Sequence, residues 1–225
     1  MSTRIKLAVF DCDGTLVDSQ HMINACMKGA FAHAGLQPPP ISAVRRIVGL
    51  PLAQAIEILA SNGDAPIDDM VKAYSLSWHQ LRDSGGLQEP VYDGMIDLLE
   101  QLHAAQWTLG VATGKSMRGL RQTLAHHSMD SYFSTLQTAD QARGKPDPEM
   151  LHLAMDEAGS VPSDTLMIGD TTYDIQMAVA AGVRAVGVTW GYHAPEDLKQ
   201  AGADHIVDDV AGLMHFFREL EETAS

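Results

Sequence analysis

Basic residues are scarce in this chain: 15 lysines and arginines stand against 29 aspartates and glutamates, a formal charge of −14. That balance argues against nucleic acid and anionic membrane surfaces as partners, and no run of like charge suggests a binding tail. The acidity instead favours solubility. Cysteine is scarcer still. Cys12 and Cys26 are the only two and form no CxxC pair, so neither a disulfide framework nor a thiolate metal site is expected, and a reducing compartment is. No apolar stretch approaches the ~20 residues that a membrane span needs. The apolar run ahead of Asp11 is too short for a secretory signal. These absences point to a cytoplasmic protein, a monomer or homodimer. With 225 residues, 45% apolar and 20% charged, the chain has room for one large domain, or for a core with a smaller insert.

What is present is an alternation of short apolar runs with helical patterns, the mark of a parallel sheet with crossover helices. Strands are expected at Leu7–Phe10, Thr108–Ala112, Leu166–Ile168, Ala185–Val188 and His205–Val207, with a weaker one near Phe133–Gln137. Helices are expected at Met95–Ala105, Ser116–His126, Pro148–Ala158, Tyr173–Ala181, Pro195–Gln200 and Val210–Glu222, with Gly159, Gly182 and Gly202 at their C-caps. From about Val17 to Pro90 the rhythm breaks. That stretch reads as helices at Ser19–Ala34 (closed by Gly35), Ser42–Val48, Leu52–Ser61 and Asp68–Ser84, interrupted by Pro38-Pro39-Pro40. The fold class is therefore α/β, a Rossmann-like parallel core from residues 1–17 and 91–225, with an all-helical cap inserted at 18–90. Gly85-Gly86 is a plausible hinge beside the second crossing.

The chemistry starts at Asp11-Cys12-Asp13-Gly14-Thr15, directly after the first strand. Two carboxylates one residue apart resist joint ionisation, and burial penalises each further. A fold keeps them when a cation neutralises them or when they do different work. In open parallel sheets the reactive edge lies at the carboxyl ends of the strands. Thr113, Gly114 and Lys115 follow the second strand, Gly169 and Asp170 another, with Asp174 four residues on, and Lys145 lies in a loop before a helix. Carboxylates can hold Mg²⁺, which keeps waters and substrate phosphate among its ligands. Thr113 and Lys145 can bind phosphate oxygens, and glycine-bearing turns add backbone donors. Together these parts make a phosphoryl-transfer site.

Asp11-Cys12-Asp13-Gly14-Thr15-Leu16-Val17-Asp18-Ser19 closely resembles the first motif of the haloacid dehalogenase-like hydrolase superfamily. Thr113 in Val111-Ala112-Thr113-Gly114 is similar to its second motif, Lys145 in Gly144-Lys145-Pro146 to its third, and Gly169-Asp170-Thr171-Thr172-Tyr173-Asp174 to its fourth. All four stand in the family's order, and the helical block resembles the cap of the phosphoglycolate phosphatase-like subfamily. The resemblance implies Asp11 as nucleophile, forming an aspartyl-phosphate, and Asp13 as general acid and then base. It implies Thr113, Gly114 and Lys145 as phosphate ligands. Mg²⁺ would be held by Asp11, Asp170 and the backbone carbonyl of Asp13, with Asp174 supporting the metal or pairing with Lys145. Dehalogenase-like members lack an acid at the position of Asp13, because halide leaves unprotonated. The implied activity is hydrolysis of a small phosphorylated metabolite. A sugar phosphomutase of the β-phosphoglucomutase type is the same-fold alternative. A phospho-receiver signalling module shares the site chemistry but would leave the cap unexplained.

Other residues carry plainer readings. Asp18 and Ser19 suit capping of the first cap helix. His126-His127 do not converge on one ion, and His193 reads as a loop or surface residue. Met22, Met27 and Met70 suit cap packing, and Cys12 points away from its acidic neighbours into packing. Lys115 lies near the site. Val48–Leu52 is a candidate specificity loop, with Arg45 and Arg46 beside it as candidate substrate-binding cations.

Overall fold

The structure, a computed structural model, describes residues 6–61, 63–85 and 89–223. Its centre is a six-stranded, fully parallel sheet formed by β1 (Leu7–Phe10), β2 (Thr108–Thr113), β3 (Phe133–Thr138), β4 (Thr165–Gly169), β5 (Arg184–Val188) and β6 (His205–Val207), in the order β3-β2-β1-β4-β5-β6. The chain steps to one side of β1 and then to the other, so the order reverses beside β1. In doubly wound sheets ligands bind in the crevice at that reversal, beyond the carboxyl ends of the strands. All six expected strands are present. The one graded weakest, β3, lies on the sheet edge, where Ser134 is exposed and the run is less apolar.

Strand β1 is completely buried and its side chains alternate between two cores. Ala8 and Phe10 enter a cluster with helices α5 (Met95–Ala104), α6 (Met117–His126) and α10 (Val210–Thr223); Leu7 and Val9 enter another with α7 (Glu149–Ala158), α8 (Thr172–Ala181) and α9 (Pro195–Ala201). Sheets covered on both faces read as continuous apolar runs, which is why Leu7–Phe10 showed no polar alternation. Gly159, Gly182 and Gly202 close α7, α8 and α9 in the left-handed region.

Between β1 and α5 the chain forms a helical block: α1 (Gln20–His33), α2 (Ile41–Arg45), α3 (Leu52–Ala60) and α4 (Ile67–Asp83). It has its own apolar cluster, to which Met22, Met27 and Met70 contribute. The second helix is shorter than the expected Ser42–Val48. It starts at Ile41 because Pro40 supplies an extended residue before it, and past Arg45 the chain passes through a turn to Gly49 at φ 99°. The segments entering and leaving the block are tied together: Asp18 N–H donates to Pro90 O at 2.8 Å, Tyr92 N–H donates to Leu16 O at 3.2 Å, and Val17 bridges Val91. Of the expected Gly85-Gly86 hinge, Gly86 lies outside the described residues. No helix among the described residues is long and apolar enough to cross a membrane.

Candidate active site

The carboxyl ends of β1, β2 and β4 bring Asp11, Thr113 and Asp170 to one crevice, all essentially inaccessible. Lys145, from the loop ahead of α7, enters the same point with its side chain fully buried. Its ammonium lies 2.8 Å from Asp11 Oδ1 and 2.6 Å from Asp174 Oδ1. Asp11 Oδ1 also accepts from the Cys12 N–H at 2.6 Å, whereas Asp11 Oδ2 is buried with no donor among the described residues. Thr113 and Asp13 face the same cavity as Asp11. Cys12 points into the apolar core on the far side of β1, as alternation along the chain requires.

Asp174 reaches this point because α8 begins with a capping box. Thr171 is the N-cap, its N–H and hydroxyl donate to Asp174 Oδ2 at 3.0 and 2.7 Å, and Asp174 Oδ1 is left for Lys145. Asp170 is clamped from two sides: Thr15 Oγ1 donates to Oδ1 at 2.8 Å, and Tyr192 N–H donates to Oδ2, also at 2.8 Å. Glycine is required where this clamp closes. A Cβ at Gly14 (φ 89°) or at Gly191 would collide with the Asp170 carboxylate.

The electrostatics of the crevice are unbalanced. One oxygen each of Asp11, Asp170 and Asp174 lies within 4.8 Å of the others, and all three residues are buried. Burial pushes the Asp11 carboxyl up to about 7; Lys145 opposes the rise and Asp174 adds to it. Burial, with Asp174 and Asp11 as like charges, holds Asp170 well above the usual carboxylate range. Burial disfavours the charged form of Lys145, but Asp11 and Asp174 outweigh it and raise the ammonium's pKa. Three buried carboxylates against one buried ammonium leave negative charge uncompensated, and the free Asp11 Oδ2 adds an open oxygen donor. An all-oxygen, anionic set of this kind fits a hard divalent cation.

Asp13, two residues on, is held elsewhere. Its Oδ1 accepts from Lys115 Nζ at 2.7 Å and from the Ser19 hydroxyl; Glu89 Oε1 lies 3.2 Å from Lys115 Nζ and 3.1 Å from Ser19 Oγ. Ser19 thus departs from the capping expected of it: α1 has no side-chain cap bond from Ser19, and Asp18 accepts from the Gln20 N–H instead. Ser19 and Glu89 sit on the two crossings into the helical block, so this network joins Asp13 to both.

Residues 8–188 match the family described as haloacid dehalogenase-like hydrolase. The chain belongs to that family. A Dickeya dadantii protein named probable phosphatase IndB is 36% identical over 96% of this chain and 96% of its own. Phosphoglycolate phosphatase 1 of Pseudomonas aeruginosa is 30% identical over 95% of this chain and 80% of its own. The crystal structure of a predicted phosphatase from Clostridium acetobutylicum superposes with a TM-score of 0.85 at 28% identity, covering 96% of this chain and all of that one. This haloacid dehalogenase-like hydrolase is a phosphoric monoester hydrolase.

The expected substrate-binding residues separate in space. Gly114 lies under the Val48–Leu52 loop, where a Cβ would stand 2.6 Å from Leu50 O, and Pro51 packs equally tightly on Gly144. Arg45 and Arg46 do not line the cavity. Arg45 donates to Gln20, to Gly191 O at 2.9 Å and to Tyr192 O at 3.3 Å, fastening the block to the loop that clamps Asp170. Arg46 is exposed, and its carbonyl accepts from Tyr173 OH. His193 lies in a loop, as expected, and is tied down there: its N–H donates to Asp170 O and its Nδ1 accepts from Thr172 N–H at 3.1 Å. The Gly191-Tyr192-His193 clamp and Glu89 escaped sequence reading because backbone donors and long-range pairs carry no local pattern. A glycine next to an aromatic, just beyond a strand end, was the one available signal.

Proposed function

We propose that this hydrolase cleaves small phosphorylated metabolites with Mg²⁺ bound at Asp11, Asp170 and Asp174, through an aspartyl-phosphate on Asp11. The observation that carries the reading is the state of Asp11, which lines the cavity: one oxygen is pinned by Lys145 and the Cys12 N–H, and the other is buried with no donor among the described residues. A carboxylate so fixed is oriented for in-line attack on phosphorus, which splits the transfer into two easier steps. Mg²⁺, which the backbone carbonyl of Asp13 would also help to hold, would supply neutralisation of the charge on the phosphate oxygens.

The chain's own groups do the rest. Lys145 favours the ionised form of Asp11 and holds it in place, and with Thr113 and the Gly114 N–H it neutralises the transferring group. Asp13 gives a proton to the departing alkoxide and takes one from the water that releases phosphate. Lys115 and Ser19 fix its carboxylate at the cavity wall while that happens. The helical block, crossing at Asp18 and Tyr92, acts as the cap that excludes water during the first step. Lys115, the lysine nearest Asp13 in the cavity, is already paired with Asp13 and Glu89, which supports hydrolysis over a mutase. The test is phosphate release across a panel of metabolite monoesters with Mg²⁺. Asp11→Asn is expected to reduce turnover by about 10³-fold or more; full turnover in that variant would remove Asp11 as nucleophile.

A further inference from the structure

The cavity over Asp11 has two ends of opposite character. Its floor is polar, with Asp11, Asp13, Thr113 and Gly114; its far side is mostly carbon, with Met27, Val71, Tyr74 and Trp78 from the helical block, among which Ser75 and His79 are interspersed. Tyr74 and Trp78 lie stacked, ring centroids 6.0 Å apart at 25°. The volume is about 440 Å³, within the range that takes a drug-sized ligand and far beyond a two-carbon acid.

A short leaving group bearing a carboxylate needs a cation close to the phosphate. Lys115 is the lysine in reach, and it is taken: Asp13 and Glu89 hold its ammonium at 2.7 and 3.2 Å, with the Trp78 ring 4.2 Å beneath it. An ammonium paired with two buried carboxylates has little attraction left for a third. Arg118, on the first turn of α6, also lines the cavity, but its side chain is largely in solvent. A second carboxylate laid against Tyr74 and Trp78, away from the solvated Arg118, would be buried without a partner. A neutral ring placed there gains from leaving water and from contact with the aromatic pair.

We infer that the leaving group is an uncharged alcohol carrying an aromatic ring, of nucleoside size, and not a short acid such as glycolate. This rests on the phosphatase reading above and narrows its substrate. The test uses matched esters whose leaving groups differ chiefly in the ring: uridine 5′-monophosphate against ribose 5-phosphate, and benzyl phosphate against ethyl phosphate, with phosphoglycolate alongside. The ring-bearing member of each pair is expected to show about tenfold or higher kcat/KM, with phosphoglycolate below ribose 5-phosphate. Tyr74→Leu, which keeps an apolar wall but removes its ring, is expected to raise KM for uridine 5′-monophosphate by a larger factor than KM for ribose 5-phosphate. Equal kcat/KM within both pairs, or a preference for phosphoglycolate, overturns the inference. Calorimetric titration of the Asp11→Asn protein with the first pair needs no turnover. Tighter binding of uridine 5′-monophosphate upholds the inference even where no ester is cleaved, a result that would sink the phosphatase reading alone. Equal affinities overturn the inference even where cleavage proceeds.

Discussion

Lys145 is the residue on which the crevice depends. It is the ammonium that meets both Asp11 and Asp174, and no part of its side chain reaches solvent. Removing one partner of a buried ion pair leaves the other charge uncompensated, at a cost of about 3–5 kcal/mol. Lys145→Met keeps the length and apolar stem and loses the charge, so it is expected to destabilise the protein by about that much in denaturant unfolding. Adding Asp174→Asn to it is expected to recover part of the loss, because one orphaned carboxylate is neutralised. A double variant no more stable than Lys145→Met would mean that the pair is not coupled.

At the scale of elements, the site is assembled by turns beyond strand ends, and its tightest constraint is the approach of the Gly191 loop to Asp170. Gly191→Ala introduces a methyl against that carboxylate. Since Asp170 is oriented by Tyr192 N–H and Thr15, displacing it is expected to weaken divalent cation binding roughly 10–100-fold. Calorimetric titration with Mg²⁺, beside circular dichroism to verify the fold, checks this; unchanged affinity would detach the clamp from the metal. The same elements mark what sequence could carry. Strand positions were legible because Leu7–Phe10 and Leu166–Ile168 are wholly buried and read as unbroken apolar runs. Asp11, Lys145 and Asp170 were legible because each follows a strand or opens a loop in a patterned motif. Ser19 looked like a helix cap because capping is a local signal, while its true partners, Asp13 and Glu89, include one 70 residues away. Arg45 looked like an anion ligand for the same reason, and the structure places its guanidinium on backbone carbonyls instead.

For the whole molecule, the excess of acid recurs at the crevice, where it links stability to protons and metal. Asp11 has an ordinary value of 3.8 and is pushed up to about 7 by burial, and Asp170 moves the same way. A carboxyl whose pKa is higher folded than unfolded binds its proton more tightly in the folded state. Its stabilising contribution is complete below the unfolded value and is lost as pH rises through the folded one. Without metal the protein is therefore expected to lose stability between about pH 4 and pH 7, by up to about 1.4 kcal/mol per pH unit for each such group. Lys145 does not alter this slope, since its raised pKa keeps it charged throughout the window. A divalent cation needs these carboxylates ionised, so it competes with the proton and binds better as pH rises. The gain in Tm on adding Mg²⁺ is thus expected to be larger near pH 8 than near pH 6, in the direction opposite to the metal-free trend. Thermal unfolding at both pH values, with chelator and with Mg²⁺, measures the two slopes. A gain that is the same at both would show that Asp11 and Asp170 are not where the cation binds.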